Sequence, residues 1–221
     1  MPSALKIQDN MTELVLDTFL ESHLTDTPVA GTWVVNATGF LKVLSLTDEL
    51  SSDGTNTRRI GEVNFSVGTD QMIVSCSALT NFQANTRKVG VMGRMSSGGF
   101  TNGYELLAEG GNTSGNKNNS YLFNSLIAGV RVNLITWTDT ANSNGDSYHS
   151  MKMYLMDPLK TIEIDGINRG TTTDNNLTGN FYAGVQMQNA DPRLRFLIVE
   201  DSTGLTAAAP LYDQSFAFIM A

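Results

Sequence analysis

The 221-residue chain carries 22 acidic and 14 basic side chains, which gives a net charge of −8. Apolar residues make up 41% of the chain, enough for the core of one large domain, so wholesale disorder is excluded. The acidic balance, with Lys and Arg scattered along the chain, excludes nucleic acid as the expected partner.

The chain is patterned as many short strands separated by polar turns. Only 16% of its residues are charged, whereas 24 Thr, 20 Asn and 20 Gly suit sheet faces and turns. Apolar residues recur with a period of two or in short runs, each bounded by turn residues, which predicts strands. A helix-like stretch near 46–50 is too short to count as an element. In chain order the predicted strands are Glu13–Phe19, Thr32–Asn36, Phe40–Leu44, Ile60–Val67, Gln71–Ala78, Lys88–Met95, Gly103–Ala108, Ser120–Leu126, Val130–Thr138, Ser147–Met156, Thr161–Ile164, Phe181–Gln188, Arg195–Val199 and Phe216–Met220.

These strands predict a single all-β domain, an antiparallel β-sandwich or jelly roll, over residues 13–200. Residues 1–12 precede it as an N-terminal arm, and residues 201–221 follow it as a C-terminal tail or an added strand. The pair Asp165-Gly166 predicts a hairpin turn, since both residue types tolerate positive φ. The segment 168–179, rich in Thr, Asn and Gly, is predicted to be a loop.

An ordered series of motifs resembles one known family. Gly31-Thr32-Trp33 comes early, Arg94 ends a strand ahead of a Gly-rich loop, Tyr104 opens the next strand, and Asp165-Gly166 closes a later one. This order, over about residues 14–200, resembles that of concanavalin A-like or laminin G-like modules, including those of phage and bacterial surface proteins. The resemblance implies two facing antiparallel sheets in a jelly roll. It leaves several functions open, because members of this family bind glycans or proteins, cleave glucans, or build virus particles.

The acidic residues do not form a glycosidase pair. Retaining glucanases of the family that the chain resembles carry Glu-x-Asp-x-Glu on one strand, which sets two carboxyl groups about 5–5.5 Å apart. Here Glu163-Ile164-Asp165 is followed by Gly166, Ile167 and Asn168, so the second Glu is missing. The chain also contains no Gly-x-Ser-x-Gly motif. We therefore predict no catalytic residues and no enzyme activity.

Metal and cofactor sites are not expected either. His23 and His149 are the two histidines and lie far apart, and Cys76 is the single cysteine, so neither a zinc site nor an internal disulfide is predicted. The loop Asp139–Asp146 holds four Asp and Asn side chains of the kind that bind Ca²⁺, but their spacing does not match a calcium register. The spacing favours a solvated hairpin loop.

Four residues are candidate glycan contacts if the module binds sugars: Arg94, Tyr104, Asn142 and Asn144. Tyr104 can stack on a sugar ring when exposed, but its place in an apolar strand pattern favours core packing. Arg94 either faces a groove or pairs with an acidic neighbour, and the pairing is favoured. Asn142 and Asn144 belong to a polar loop.

The C-terminal tail ends in a strongly apolar segment that must be buried. Its predicted partner contacts are Leu211, Tyr212, Phe216, Phe218, Ile219 and Met220. The tail either adds a strand to its own sandwich or forms an arm that pairs with a sheet edge of a neighbouring subunit. We expect the arm, within a homo-oligomer for which a trimer is the guess, and Pro2–Met11 has the same two options.

The N-terminal sequence lacks the basic and apolar regions of a signal peptide, and no apolar run is long enough to cross a bilayer. We therefore expect a protein that is made in the host cytoplasm and has no membrane partner. The absence of a catalytic set and the apolar tail favour a structural virion protein, in particular a phage capsid decoration (cement) protein that binds the major capsid protein or other virion proteins. The alternative is a glycan-binding adhesion or tail-fibre receptor-binding module.

Overall fold

A computed structural model describes residues 3–11, 18–19, 32–52, 57–79, 87–98, 100–110, 119–139, 147–189 and 192–205. Among these residues there is no helix, which confirms the predicted all-β class. The strands are β1 Ala4–Asp9, β2 Thr18–Phe19, β3 Trp33–Val35, β4 Leu41–Leu44, β5 Glu49–Ser52, β6 Arg58–Val63, β7 Met72–Leu79, β8 Lys88–Met95, β9 Gly103–Glu109, β10 Asn119–Ile127, β11 Val130–Asp139, β12 His149–Leu155, β13 Lys160–Ile164, β14 Ile167–Thr172, β15 Tyr182–Gln188 and β16 Arg193–Asp201.

The strands form two antiparallel sheets that face each other as a sandwich. The nine-stranded sheet runs in the order β14-β13-β12-β7-β16-β5-β4-β2, and its ninth strand, β1, also pairs with β16. The seven-stranded sheet runs in the order β11-β10-β9-β8-β15-β6-β3. The predicted antiparallel β-sandwich is therefore confirmed.

Alternate residues of each strand point into the space between the sheets, because successive side chains of a strand lie on opposite faces. Val89 and Val91 of β8 and Met151 and Met153 of β12 are fully buried in one core cluster. Burying each such side chain contributes about 1.5–3 kcal/mol to folding. The outer face of the seven-stranded sheet is consequently free to carry other residue types.

Several boundaries match the sequence patterning closely. The strand β8 spans the predicted residues Lys88–Met95. Asp165 and Gly166 form the predicted hairpin turn, with φ values of 53° and 75°. The predicted strand Glu13–Phe19 is described only at Thr18–Phe19, and the predicted strand Phe216–Met220 lies outside the described residues.

Three strands, β1, β5 and β14, were not predicted. β14 occupies residues that were predicted to be part of a loop. The sequence did not predict this strand because its Asn, Arg, Gly and Thr residues show no alternation of apolar and polar side chains. The stretch 46–50 is not helical: residues 45–48 form a turn, and β5 begins at Glu49.

Residues 4–9, predicted to belong to an N-terminal arm, form a strand of the protein's own nine-stranded sheet. In β1, Ala4 lies opposite Asp201 and Asp9 lies opposite Leu197, both of β16. The carboxylate of Asp9 also accepts a hydrogen bond of 2.9 Å from the indole Nε1 of Trp33, which belongs to the seven-stranded sheet. This segment therefore ties the two sheets of one molecule together.

Gly90 of β8 has no room for a side chain. A Cβ there would lie 1.9 Å from the carbonyl oxygen of Leu106 in β9, a backbone atom that cannot move without breaking the sheet. We expect Gly90→Ala to lower the free energy of unfolding by at least about 3 kcal/mol, measured by urea denaturation.

Gly170→Ala in β14 is the matched control. Its added Cβ would meet only the side chain of Ile135, at 2.9 Å from Cγ2, and that side chain can shift. We expect a loss of about 1 kcal/mol or less. Equal losses in the two variants would contradict the packing described for β8 and β9.

Candidate functional site

A buried carboxylate lies on the outer face of the seven-stranded sheet. Tyr104 and Leu106 of β9 point into the core, so Glu105 between them points to the opposite face. Its side chain is fully buried. Burying a carboxylate costs free energy of folding unless positive charges and hydrogen-bond donors compensate it. The residues around Glu105 must therefore supply such groups.

Three side chains from three other strands converge on Glu105. Arg131 of β11 donates to both carboxylate oxygens, from Nε to Oε1 and from Nη2 to Oε2 at 3.2 Å. Asn124 of β10 donates from Nδ2 to Oε1 at 2.9 Å. With its amide oriented so that both polar atoms have partners, Gln186 of β15 donates to Oε2 at 2.9 Å and accepts from Arg131 at 3.3 Å.

A second guanidinium group lies near this carboxylate. Burial lowers the pKa of Arg58 of β6, the charge of Glu105 opposes that change, and the charge of Arg131 adds to it. Arg58 also donates from Nη2 to the carbonyl oxygen of Phe100 at 2.8 Å. Two positive side chains thus accompany one negative one.

The hydrogen bonds continue from the buried carboxylate to solvent. Asn133 of β11 is exposed and donates from Nδ2 to Asn124 Oδ1 at 2.9 Å. Thr136, also exposed, donates from Oγ1 to Asn133 Oδ1 at 3.0 Å. We call this set the polar cluster: Arg58, Glu105, Asn124, Arg131, Asn133, Thr136 and Gln186. It presents amide, hydroxyl and guanidinium groups whose orientations are fixed by hydrogen bonds within the cluster.

An apolar patch with two aromatic rings borders the polar cluster. Phe100 and Tyr182, each half-buried, pack against a separate group of buried residues. Met92 of this group lies directly opposite Glu105 in the sheet, and Leu126 lies opposite Arg131. The complete buried group is Ile60, Met92, Met95 and Leu126.

The segment that carries Phe100 is held down by a second carboxylate. The backbone N–H of Gly98 donates to both oxygens of Glu62, at 3.0 and 3.2 Å. Burial raises the pKa of Glu62, and the hydrogen bond from Gly98 partly opposes this. Glu62 is therefore committed to positioning this segment.

Of the residues predicted from the sequence as glycan contacts, Arg94 is a framework residue. Its side chain is fully buried and pairs with Asp157 at 3.2 Å. It also donates to the carbonyl oxygens of Asp70, Leu155 and Leu177 at 2.6, 3.1 and 3.0 Å. This is the structural pairing that the sequence favoured, and the side chain offers no surface to a sugar.

Asp157 is shared between Arg94 and a second buried cation, Lys160. Burial alone would raise the pKa of Asp157, but the hydrogen bonds and charges of Lys160 and Arg94 outweigh it and lower the pKa. The carboxylate is thus held in its charged form at the end of the sandwich.

Tyr104 also lies in the interior rather than in a binding surface. Its ring is fully buried and stacks on Phe123 with centroids 5.6 Å apart, and its hydroxyl donates to Asp174 Oδ1 at 2.6 Å. A sugar cannot reach it in this packing. Asn142 and Asn144 lie outside the described residues, as do the predicted tail contacts Leu211, Tyr212, Phe216, Phe218, Ile219 and Met220, and all of these stay predictions.

Sequence reasoning missed the polar cluster, although one signal was present. Glu105, Asn124 and Asn133 are polar residues in the middle of otherwise apolar strand runs, at positions where alternation sends them to one face. Polar residues at the centre of three neighbouring strands indicate a common patch. The pairing of those strands was not known from the sequence.

The carboxylates singled out as a possible glucanase remnant have structural partners. Asp165 accepts the backbone N–H of Ser150 at 2.9 Å from its place in the hairpin turn. Glu163 accepts the hydroxyl of Tyr154 at 2.9 Å. Within the described ranges, no three His, Cys, Asp or Glu side chains converge as metal ligands, and no helix is long and apolar enough to cross a membrane.

No family model matches the sequence, and no curated protein matches it. Solved structures do share its fold. The carbohydrate-binding module CBM66 from Bacillus subtilis is 14% identical, with a TM-score of 0.55, and the match covers 86% of this chain and 98% of that one. The CBM2 module of the evolved Dit protein of Lactobacillus casei BL23 phage J-1 is 11% identical, with a TM-score of 0.58, covering 90% and 96%.

A Bacillus licheniformis β-glucanase is also similar, at 10% identity and a TM-score of 0.53, covering 85% of this chain and 99% of that one. At these identities the similarity establishes the fold. The chain is a concanavalin A-like jelly-roll sandwich, as its motif order indicated.

Arg94 can be tested as a framework residue. Arg94→Met removes one of the two cationic partners of Asp157 and the donor to three backbone carbonyls, so we expect the free energy of unfolding to fall by about 3 kcal/mol. Thermal and urea denaturation measure this loss. Arg195→Met is the control, since the Arg195 side chain is 52% exposed and its ion pair with Glu49 should be worth at most about 1 kcal/mol. Similar losses in the two variants would contradict the assignment.

Proposed function

We propose that the protein is a non-catalytic glycan-binding module and that the polar cluster is its sugar-contact surface. The observation that carries this proposal is the continuous series of hydrogen bonds from the buried Glu105 through Asn124 to the exposed Asn133 and Thr136. A sugar offers hydroxyl groups that both donate and accept. Exposed amides and hydroxyls with fixed directions suit such a ligand, because less conformational entropy is lost on binding.

The composition of the surface also supports a glycan. Arg131 is 30% exposed and already paired with Glu105, so it offers hydrogen-bond donors without a large unbalanced charge. The half-buried rings of Phe100 and Tyr182 border the cluster and supply apolar area for a sugar ring. Oriented amides beside aromatic rings suit the recognition of a neutral sugar, which offers both hydroxyl groups and an apolar ring face.

The fold comparisons favour this function over a capsid decoration role. One of the similar structures is named as a carbohydrate-binding module, and another is named as the CBM2 module of a phage Dit protein. We infer that a glycan on a host surface is the partner, and that a position on a phage particle, if the protein has one, is at the tail rather than on the capsid shell. The cement role and the major capsid protein as partner find no comparable support.

The proposal is tested by removing one exposed group of the cluster. We expect Asn133→Ala to weaken binding to the glycan that wild-type protein selects on a glycan array by about tenfold or more, because the amide both contacts the sugar and aligns Thr136. Isothermal titration calorimetry measures the change. Asn168→Ala is the control: Asn168 is also exposed, and its amide oxygen also accepts a single local hydrogen bond, from the Gly170 N–H.

Equal affinity of Asn133→Ala and wild type would place the sugar elsewhere on the molecule. Absence of any array binding by the folded wild-type protein would remove the proposed function itself. Unchanged melting temperatures of both variants ensure that a loss of binding is not a loss of folding.

We further expect no hydrolysis of β-glucans. Glu62 and Glu105 lie on one row of the seven-stranded sheet, with Gly184 and Met92 between them. Three strand spacings place their backbones about 14 Å apart, and each carboxylate is held by its own partners, the Gly98 N–H for Glu62 and Arg131 for Glu105. A reducing-sugar assay on barley β-glucan and laminarin, with Glu163→Gln and Glu105→Gln as comparisons, checks this. Turnover that Glu105→Gln abolishes would identify an enzyme.

A further inference from the structure

Lys160, the first residue of β13, is a buried amine that the proposed glycan binding does not use. Its side chain is fully buried, and its Nζ lies 5.8 Å from the centroid of the Tyr104 ring. Nζ donates hydrogen bonds to Oδ1 of Asp157 and to Oδ1 of Asn175. Asn175 is exposed and belongs to the segment that follows β14. A buried lysine is therefore held against a carboxylate and a carboxamide at once.

The surroundings of Lys160 favour its neutral form. Burial lowers the pKa of Lys160, and the charge of Arg94 adds to this change. The hydrogen bond and charge of Asp157 and the charge of Asp174 oppose it, but the net direction is downward. A neutral amine has the lone pair that a nucleophile needs, whereas an ammonium group does not. Lys160 is thus better prepared to attack a carbonyl carbon than a lysine in water.

Asn175 provides a suitable electrophile. Its Oδ1 is bonded to Cγ, so the hydrogen bond from Lys160 places Nζ close to that carbon as well. Two groups held in this way react without the cost of a bimolecular encounter. Burial opposes the ionisation of Asp157, but Lys160 and Arg94 outweigh it and lower the pKa of Asp157. Asp157 is therefore a carboxylate, which an amine does not attack but which can accept a proton from it.

We propose that Lys160 and Asn175 form an intramolecular isopeptide bond, with Asp157 as the group that transfers the proton. Nζ of Lys160 attacks Cγ of Asn175 while the carboxylate of Asp157 accepts a proton from Nζ. Asp157 then gives this proton to Nδ2 of Asn175, which leaves as ammonia. One C–N bond forms and another breaks, and the two side chains supply every atom, so neither an oxidant nor a co-substrate is required.

The bond would fasten the segment after β14 to the start of β13. That segment makes two further contacts with buried side chains. Asp174 accepts the hydroxyl of Tyr104 at 2.6 Å, and the carbonyl oxygen of Leu177 accepts a hydrogen bond from Arg94 at 3.0 Å. A covalent link between them restricts the unfolded chain, as other cross-links do, and keeps both contacts in place.

Intact mass spectrometry of the purified, denatured protein tests the bond. We expect the wild-type mass to lie below the mass calculated from its sequence by about 17 Da, the mass of ammonia. Asn175→Ala removes the electrophile, and Lys160→Arg keeps the positive charge without the amine, so both variants should have their full calculated masses. Asn176→Ala is the control, since Asn176 is also exposed in the same segment and should keep the loss.

Tryptic digestion locates the bond. Trypsin does not cleave after a modified lysine, so wild-type protein should give residues 153–169, uncut after Lys160, joined to residues 170–193 through Asn175. A succinimide at an Asn-Gly pair would also release ammonia, but its mass change would persist in Asn175→Ala. Wild-type protein with its full calculated mass, or a loss that persists in Asn175→Ala, would overturn the proposal.

Discussion

The need to neutralise one buried carboxylate organises the outer face of the seven-stranded sheet. Glu105 lies at the centre of β9 with no solvent to screen it, so neighbouring strands must supply donors. Arg131, Asn124 and Gln186 do so from three different strands. Each of these side chains is restricted to one conformation. The hydrogen bond from Asn133 to Asn124 restricts the exposed Asn133 in turn. The electrostatic requirement of the interior thereby fixes the geometry of the surface.

A second group of buried charges has the opposite role. Arg94 and Lys160 are both fully buried and share Asp157, and Arg94 donates to the carbonyl oxygens of two loop residues and of the last residue of β12. This network also reaches polar side chains at the surface, through Lys160 to the exposed Asn175 and through Asp157 to Gln71, and it joins loops to strands. The two networks show why a buried charge alone does not identify a binding site. The exposed members of the Glu105 network, Asn133 and Thr136, lie on strand β11, whereas the exposed Asn175 of the Arg94 network lies in a loop.

Strand patterning predicted the fold well because local rules govern it. Lys88–Met95 alternates and lies between turn residues, and Asp165-Gly166 has the residue types that a tight hairpin requires. β14 escaped prediction since its side chains are polar on both faces at a sheet edge. The site escaped for a different reason: Glu105 and Arg131 are 26 residues apart and meet only through the pairing of β9, β10 and β11. The polarity of each residue can be read from the sequence, whereas the order of the strands in the sheet cannot.

The pairing of β1 with β16 brings the first and last described strands side by side. Ala4 lies opposite Asp201, and the Ser3 hydroxyl donates to the Glu200 carboxylate at 2.5 Å. A chain that enters the sandwich at β1 and leaves it after β16 therefore does both at one corner. Such a module can be inserted into a surface loop of another protein without forcing the two ends of that loop apart. It should equally tolerate circular permutation, with a short linker across this corner and new ends at a distant turn.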